Sequence, residues 1–140
     1  MHLFILCKQD LKSGIMSRIL SEKIRNIIPM INIIREPSSK LQIKEMLQSL
    51  GTYIKLAVDV ERKILAGGGT LHADCEAVLL EDGSQQEFIW GADWNPASQQ
   101  VTFEALINIR PNQNNRSMDI LDPDIRDQVE KITRYLLGES

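Results

Sequence analysis

The chain has 140 residues, 43% of them hydrophobic, and a formal net charge of −3. That length gives one domain whose core needs neither a disulfide nor a metal. The two cysteines, Cys7 and Cys75, lie in unlike contexts and read as reduced thiols, and the longest apolar run near the start, residues 3–7, is far short of the ~20 residues of a membrane span, so a cytoplasmic protein without a span is expected.

Residues 1–29 differ from the rest. Lys8, Lys12, Arg18, Lys23 and Arg25 outnumber Asp10 and Glu22 there, and Ile15, Ile19, Leu20, Ile24 and Ile27 recur at roughly helical spacing. A short basic amphipathic helix over residues 13–27 is expected, of the kind that lies on a membrane surface or a partner. The simpler reading is an N-terminal extension upstream of the true start, because Met16 and Met30 are both possible initiators. Residues 30–140 form a single domain.

Residues 30–35 are apolar and β-branched and read as a buried first strand, which Pro37 stops. Ser39 and Gln42 make a capping box for a helix with Ile43, Met46, Leu47 and Leu50 on one face, closed by Gly51. Residues 53–61 alternate, with Ile54, Leu56, Val58 and Val60 on one side, as in a half-exposed strand. Arg62 and Lys63 turn the chain into a hairpin partner over residues 64–66. Gly67, Gly68 and Gly69 then end it, without the Lys-Ser/Thr of a phosphate-binding loop. Residues 73–80 read as a second helix that stops at Asp82-Gly83. Residues 87–94 and 101–109 alternate again and pair as a hairpin across Asn95–Ser98. Trp90 and Trp94 sit at alternating strand positions, more suited to a core than to a binding surface. Residues 110–117 are a polar, asparagine-rich loop. Asp122 and Pro123 open a last helix with Ile125, Val129, Ile132 and Leu136 inward. The order β-α-β-β-α-β-β-α gives an α+β fold. Its sheet is antiparallel or mixed, of about four to five strands, with helices mainly on one face.

Several segments of the chain look alike in combination to one known group. Gly68-Gly69-Thr70-Leu71-His72-Ala73-Asp74 and Leu79-Leu80-Glu81-Asp82-Gly83-Ser84 are followed by Gln86, Trp90 and Gly91, then by Ile107-Asn108-Ile109-Arg110-Pro111 and Asn115-Arg116-Ser117. With Val58-Asp59-Val60-Glu61-Arg62, this resembles a small prokaryotic family defined only as a domain of unknown function, over about residues 30–137. Members of that family typically begin near the position of Met30. The resemblance implies no activity, cofactor or partner.

Two polar segments can carry chemistry. Histidine titrates near neutrality, and a carboxylate can orient it, so His72 with Asp74 is one candidate pair. The pair works if His72 lies in the approach to the helix and Asp74 at its start, because residues two apart diverge on a helix. The simpler reading is that Asp74 caps the helix. His72, Asp74 and Glu76, with Glu81 or Asp82, have ligand types for Mg²⁺, Mn²⁺ or Zn²⁺, but no metal motif is present. Arg110, Asn115 and Arg116 can hold an anion, or can pair with Asp74, Glu81 or Asp82 inside the fold. Residues 64–109 contain no lysine or arginine but hold Asp74, Glu76, Glu81, Asp82, Glu87, Asp93 and Glu104, so nucleic-acid binding there is not expected. Cys75 reads as a small buried hydrophobe rather than a nucleophile.

The expected function is a non-catalytic interaction or regulatory module with a protein partner and no cofactor. The alternative is a small hydrolase or nuclease-like enzyme whose catalytic residues are His72 and Asp74 with Arg110 or Arg116.

Overall fold

Strand-period sequence on both sides of a central hairpin organises the molecule. The computed structural model describes residues 31–139. The elements are β1 (Asn32–Ile34), α1 (Lys40–Met46), β2 (Ile54–Asp59), β3 (Ile64–Gly69), α2 (His72–Glu81), β4 (Ile89–Asn95), β5 (Gln100–Thr102) and α3 (Pro123–Leu137). The five strands form one sheet of order β1-β3-β2-β4-β5, and every pairing is antiparallel. This is the expected α+β order. The amphipathic helix expected over residues 13–27 lies outside the described residues.

The sheet is covered on both faces. Leu56, Val58, Trp90, Ala92 and Trp94 form one core with Met46 of α1 and with Val129 and Leu136 of α3. Ala57, Ala66 and Ile89 point the other way and pack on Cys75 and Leu79 of α2. Two of the three helices therefore share one face and α2 takes the other. This is why β2, expected to be half-exposed, is the buried centre of the sheet, and why both tryptophans are core. Its last residue, Asp59, is buried but accepts the N–H groups of Glu61 and Arg62 at 2.9 Å each, which starts the turn into β3.

Local signals set several boundaries. The capping box is formed, with the Gln42 N–H donating to Ser39 Oγ at 3.1 Å and the Ser39 N–H to Gln42 Oε1 at 3.0 Å. Helix α1 ends at Met46, and a further turn carries the chain to Gly51, whose φ is +85°. Asp122 accepts from the Asp124 N–H at 2.8 Å, and Pro123 opens α3. The first strand is shorter than expected and lies at the sheet edge, so only Ile34 is fully buried. Strand β3 continues through the glycines instead of ending at Ala66. A Cβ on Gly67 would stand 2.8 Å from Leu56 Cδ2 and 3.0 Å from Met46 Sδ, so a larger residue there would have to push aside the side chains between the strand and α1. Among the described residues, no helix is long and apolar enough to cross a membrane.

Candidate functional site

The strand expected over residues 101–109 is replaced by something else. Strand β5 pairs only with Asp93–Asn95 and stops at Thr102. The edge of β4 from Ile89 to Gly91 is left without a strand partner. Side chains take its place. Asn108, on a 3₁₀ turn over Leu106–Asn108, accepts the Gly91 N–H at 2.8 Å and donates to the Gly91 carbonyl at 3.0 Å. Its amide thus reproduces the pair of bonds that a neighbouring strand would make. The carbonyls of Phe103 (2.9 Å) and Met118 (3.0 Å) lie within reach of the same NH2, whose two hydrogens are shared among the three acceptors. A Cβ on Gly91 would stand 2.5 Å from that of Ala105, so glycine permits the close approach.

Arg110 continues this edge. Its guanidinium donates to the carbonyls of Ile89, Gln86 (2.8 Å) and Ile107 (2.9 Å). It stacks 4.6 Å from the centroid of Trp90 and is 6% exposed. Glu76 of α2 lies 3.5 Å away, but its Oε2 has no hydrogen-bond partner, so this is a contact of charges only. Asn115 then ties the loop, donating to the carbonyls of Asn108, Ser117 and Asp119 and accepting the Leu121 N–H. Asn114 adopts the left-handed turn conformation that asparagine tolerates well. Arg116 faces solvent. The two polar segments therefore do meet, but through Glu76 and Arg110, not through Asp74, Glu81 or Asp82. Asp82 is instead held at 2.7 Å by each of Arg35 and Arg62, which keep its carboxyl below the usual range.

Burial pushes the Glu76 carboxyl above its ordinary value, and Arg110 only partly offsets this. The folded state thus holds that proton more tightly than the unfolded chain does. The contribution of Glu76 to stability is greatest below the unfolded value and is lost as pH rises through the folded one. Glu76→Gln should flatten that decline, which urea midpoints from about pH 4 to neutrality will show. A wild-type decline that survives in Glu76→Gln excludes Glu76 as its source.

His72 is the first residue of α2, so Asp74 lies in the same helical turn and diverges from it. The carboxylate that His72 finds is Asp93 of β4. His72 Nε2 lies 2.8 Å from Asp93 Oδ1 and 3.2 Å from the Ala92 carbonyl. Both are acceptors, so Nε2 carries a proton. Asp74 is exposed, with the Thr70 hydroxyl 3.4 Å from its Oδ2. His72 and Asp93 sit in a groove of about 390 Å³ with Lys55 and Glu104. Asp74, Arg110 and Arg116 do not line it. The groove shares Asp93 and Glu104 with an adjoining hollow of about 410 Å³ reaching Asp119 and Arg126. Its rim is apolar, with Leu106, Leu71 and Met118 exposed at 71%, 57% and 40%.

The other candidates are accounted for. Among the described residues, no group of three or more His, Cys, Asp or Glu side chains is placed to hold a metal ion. Cys75 is fully buried, and burial pushes its thiol up to about 11, so at neutral pH it is protonated and inert. Asp93 and Glu104 were not singled out in the sequence. The signal for Asp93 was its inward-facing neighbours on the strand, which place it on the α2 side.

The arrangement of the 107–117 segment against the edge of β4 uses Gln86, Trp90, Gly91, Asn108, Arg110 and Asn115, all among the residues that the sequence resemblance rests on. A family model described as a protein of unknown function, DUF5674, matches residues 32–136. The chain belongs to the DUF5674 family. No curated protein and no solved structure matches it. Within the DUF5674 domain, Asn108, Arg110 and Asn115 complete the sheet, while His72 and Asp93 remain at an open surface.

Proposed function

We propose that this protein is a non-catalytic interaction module of the cytoplasm that binds a protein partner through the groove beside His72. The observation that carries this reading is the convergence of Leu71, Leu106 and Met118, all exposed, on one polar-floored groove. Exposed apolar side chains gathered in one place mark interaction sites on otherwise well-packed domains. Arg110, the buried cation of the polar loop, is committed to the backbone carbonyls of Ile107, Gln86 and Ile89 and supports this wall from behind.

The test is partner capture by in-cell crosslinking with wild type, Leu106→Glu and Tyr135→Glu. Both positions are highly exposed, so neither change disturbs the core. A stoichiometric partner should persist with Tyr135→Glu and be lost with Leu106→Glu. Equal capture by both variants removes the groove from the interaction.

One observation favours a small hydrolase as second reading. A histidine oriented by a carboxylate, with the other ring nitrogen free, is a competent general base. In that reading His72 is the base and Asp93 orients it. Asp74 and Arg116 lie outside the groove and take no part in it, and Arg110 acts only through the wall it holds. Turnover of p-nitrophenyl acetate or bis-p-nitrophenyl phosphate should then vanish in His72→Ala. Activity that is absent from the wild type, or unchanged in the variant, discards it.

A further inference from the structure

The charges at the groove leave one acid over. Lys55 stands opposite Asp93 across β2 and β4, and Asp93 also holds His72. In the adjoining hollow Arg126 is taken by Asp119 at 2.7 Å and stacks 4.3 Å from the centroid of Phe103. Glu104 lies where the two spaces join, is exposed, and has no ion-pair partner among the described residues. The stretch around it supplies none, because residues 64–109 hold acids but no lysine or arginine. Such a surface repels an acidic segment and draws a cation.

The backbone fixes how far that acid stands from the apolar rim. Ala105 is extended, with φ −153° and ψ 140°, and is 1% exposed. Its neighbours Glu104 and Leu106 are both exposed, on the outer side. Two extended residues span roughly 7 Å. Leu71 and Met118 line the same groove and are also exposed. A complementary binder therefore carries a large apolar side chain and a cation roughly 7 Å apart. In a protein these are residues i and i+2 of an extended segment, or i and i+4 of a helix.

We propose that the groove takes a basic, apolar segment of a partner protein. Its Lys or Arg sits on Glu104, and a large apolar side chain within about four residues of it packs among Leu71, Leu106 and Met118. The proposal rests on the groove being the interaction site, and it adds the chemistry of what binds there.

Selection of short random peptides displayed on phage, with the full chain as bait, tests this. Glu104→Lys and Glu81→Lys are compared with wild type. Both acids are exposed and only Glu104 lines the groove, so Glu81→Lys controls for net charge. Wild type and Glu81→Lys should enrich Lys or Arg close to a large apolar residue, and Glu104→Lys should enrich Asp or Glu in its place. In fluorescence anisotropy a selected peptide should bind Glu104→Lys about fivefold more weakly, as loss of an exposed ion pair requires. The same peptide with its base changed to Glu should prefer Glu104→Lys over wild type. Leu106→Glu should weaken the selected peptide at least about tenfold. Enrichment of acids by wild type, of apolar residues alone, or of nothing overturns the proposal. So does an equal loss in Glu104→Lys and Glu81→Lys. Self-association of wild type in sedimentation that Glu104→Lys abolishes seats a second copy in the groove and also overturns it. If the charge preference does not follow position 104 but Leu106→Glu still loses its crosslinked partner, the interaction reading stands and this chemistry falls. If Leu106→Glu keeps its partner, both fall.

Discussion

Arg110→Met should destabilise the protein by about 3–5 kcal/mol, the cost of breaking a buried charged contact by removing one partner. Methionine fills the volume beside Trp90 but donates nothing. The carbonyls of Ile89, Gln86 and Ile107 then lose a charged donor together, and Glu76 loses the cation that offsets its burial. Arg110→Lys should recover little. Three carbonyls in different directions need the planar fork, and an ammonium is a point donor that hydrates strongly. Glu76→Gln placed on Arg110→Met should restore part of the loss, because the stranded carboxylate is removed. Urea denaturation of the two single variants and the double variant measures this coupling. A loss below about 1 kcal/mol for Arg110→Met would put the residue with ordinary surface ion pairs and refute the clamp.

The arginine was legible in the sequence as a charge with two possible destinations, a site or an internal contact. What decided the matter was non-local. Apart from Ile107, its partners lie on α2, just before β4 and at its start, twenty or more residues upstream, and nothing in the spacing of residues 107–117 names them. Elements with local causes were readable. Ser39 and Gln42 announced α1, Asp122 and Pro123 announced α3, and the alternation in residues 53–61 announced β2. The period-two signal misled at residues 101–109, because an alternating apolar pattern also suits an irregular segment packed between β4 and α2. The exposure expected for β2 failed for a similar reason. Alternation reveals two faces but not whether a helix covers the second. The pairing of His72 followed the same rule, since its carboxylate comes from a neighbouring strand rather than from the next helical residue.

Asn108→Leu should cost about 3 kcal/mol or more, because each buried polar group left without its partner forfeits roughly 1–3 kcal/mol. Leucine has nearly the same shape, so the effect isolates hydrogen bonding from packing. The Gly91 N–H and carbonyl lose their only partners on that edge, and the carbonyls of Phe103 and Met118 lose a donor. Amide hydrogen exchange gives the specific readout. The Gly91 N–H should lose protection in Asn108→Leu, while the Trp90 N–H, on the β2 side of the strand, keeps most of its own. Asn108→Asp separates the roles further. The introduced carboxyl still accepts from Gly91 but meets three carbonyls where the amide donated. Its folded-state pKa must therefore rise, so this variant should gain stability as pH falls and lose it as pH rises through that value. If Gly91 exchanges at its wild-type rate in Asn108→Leu, the side chain is not standing in for a strand. The edge of β4 must then be protected by the close packing of Ala105 and Ile107 alone.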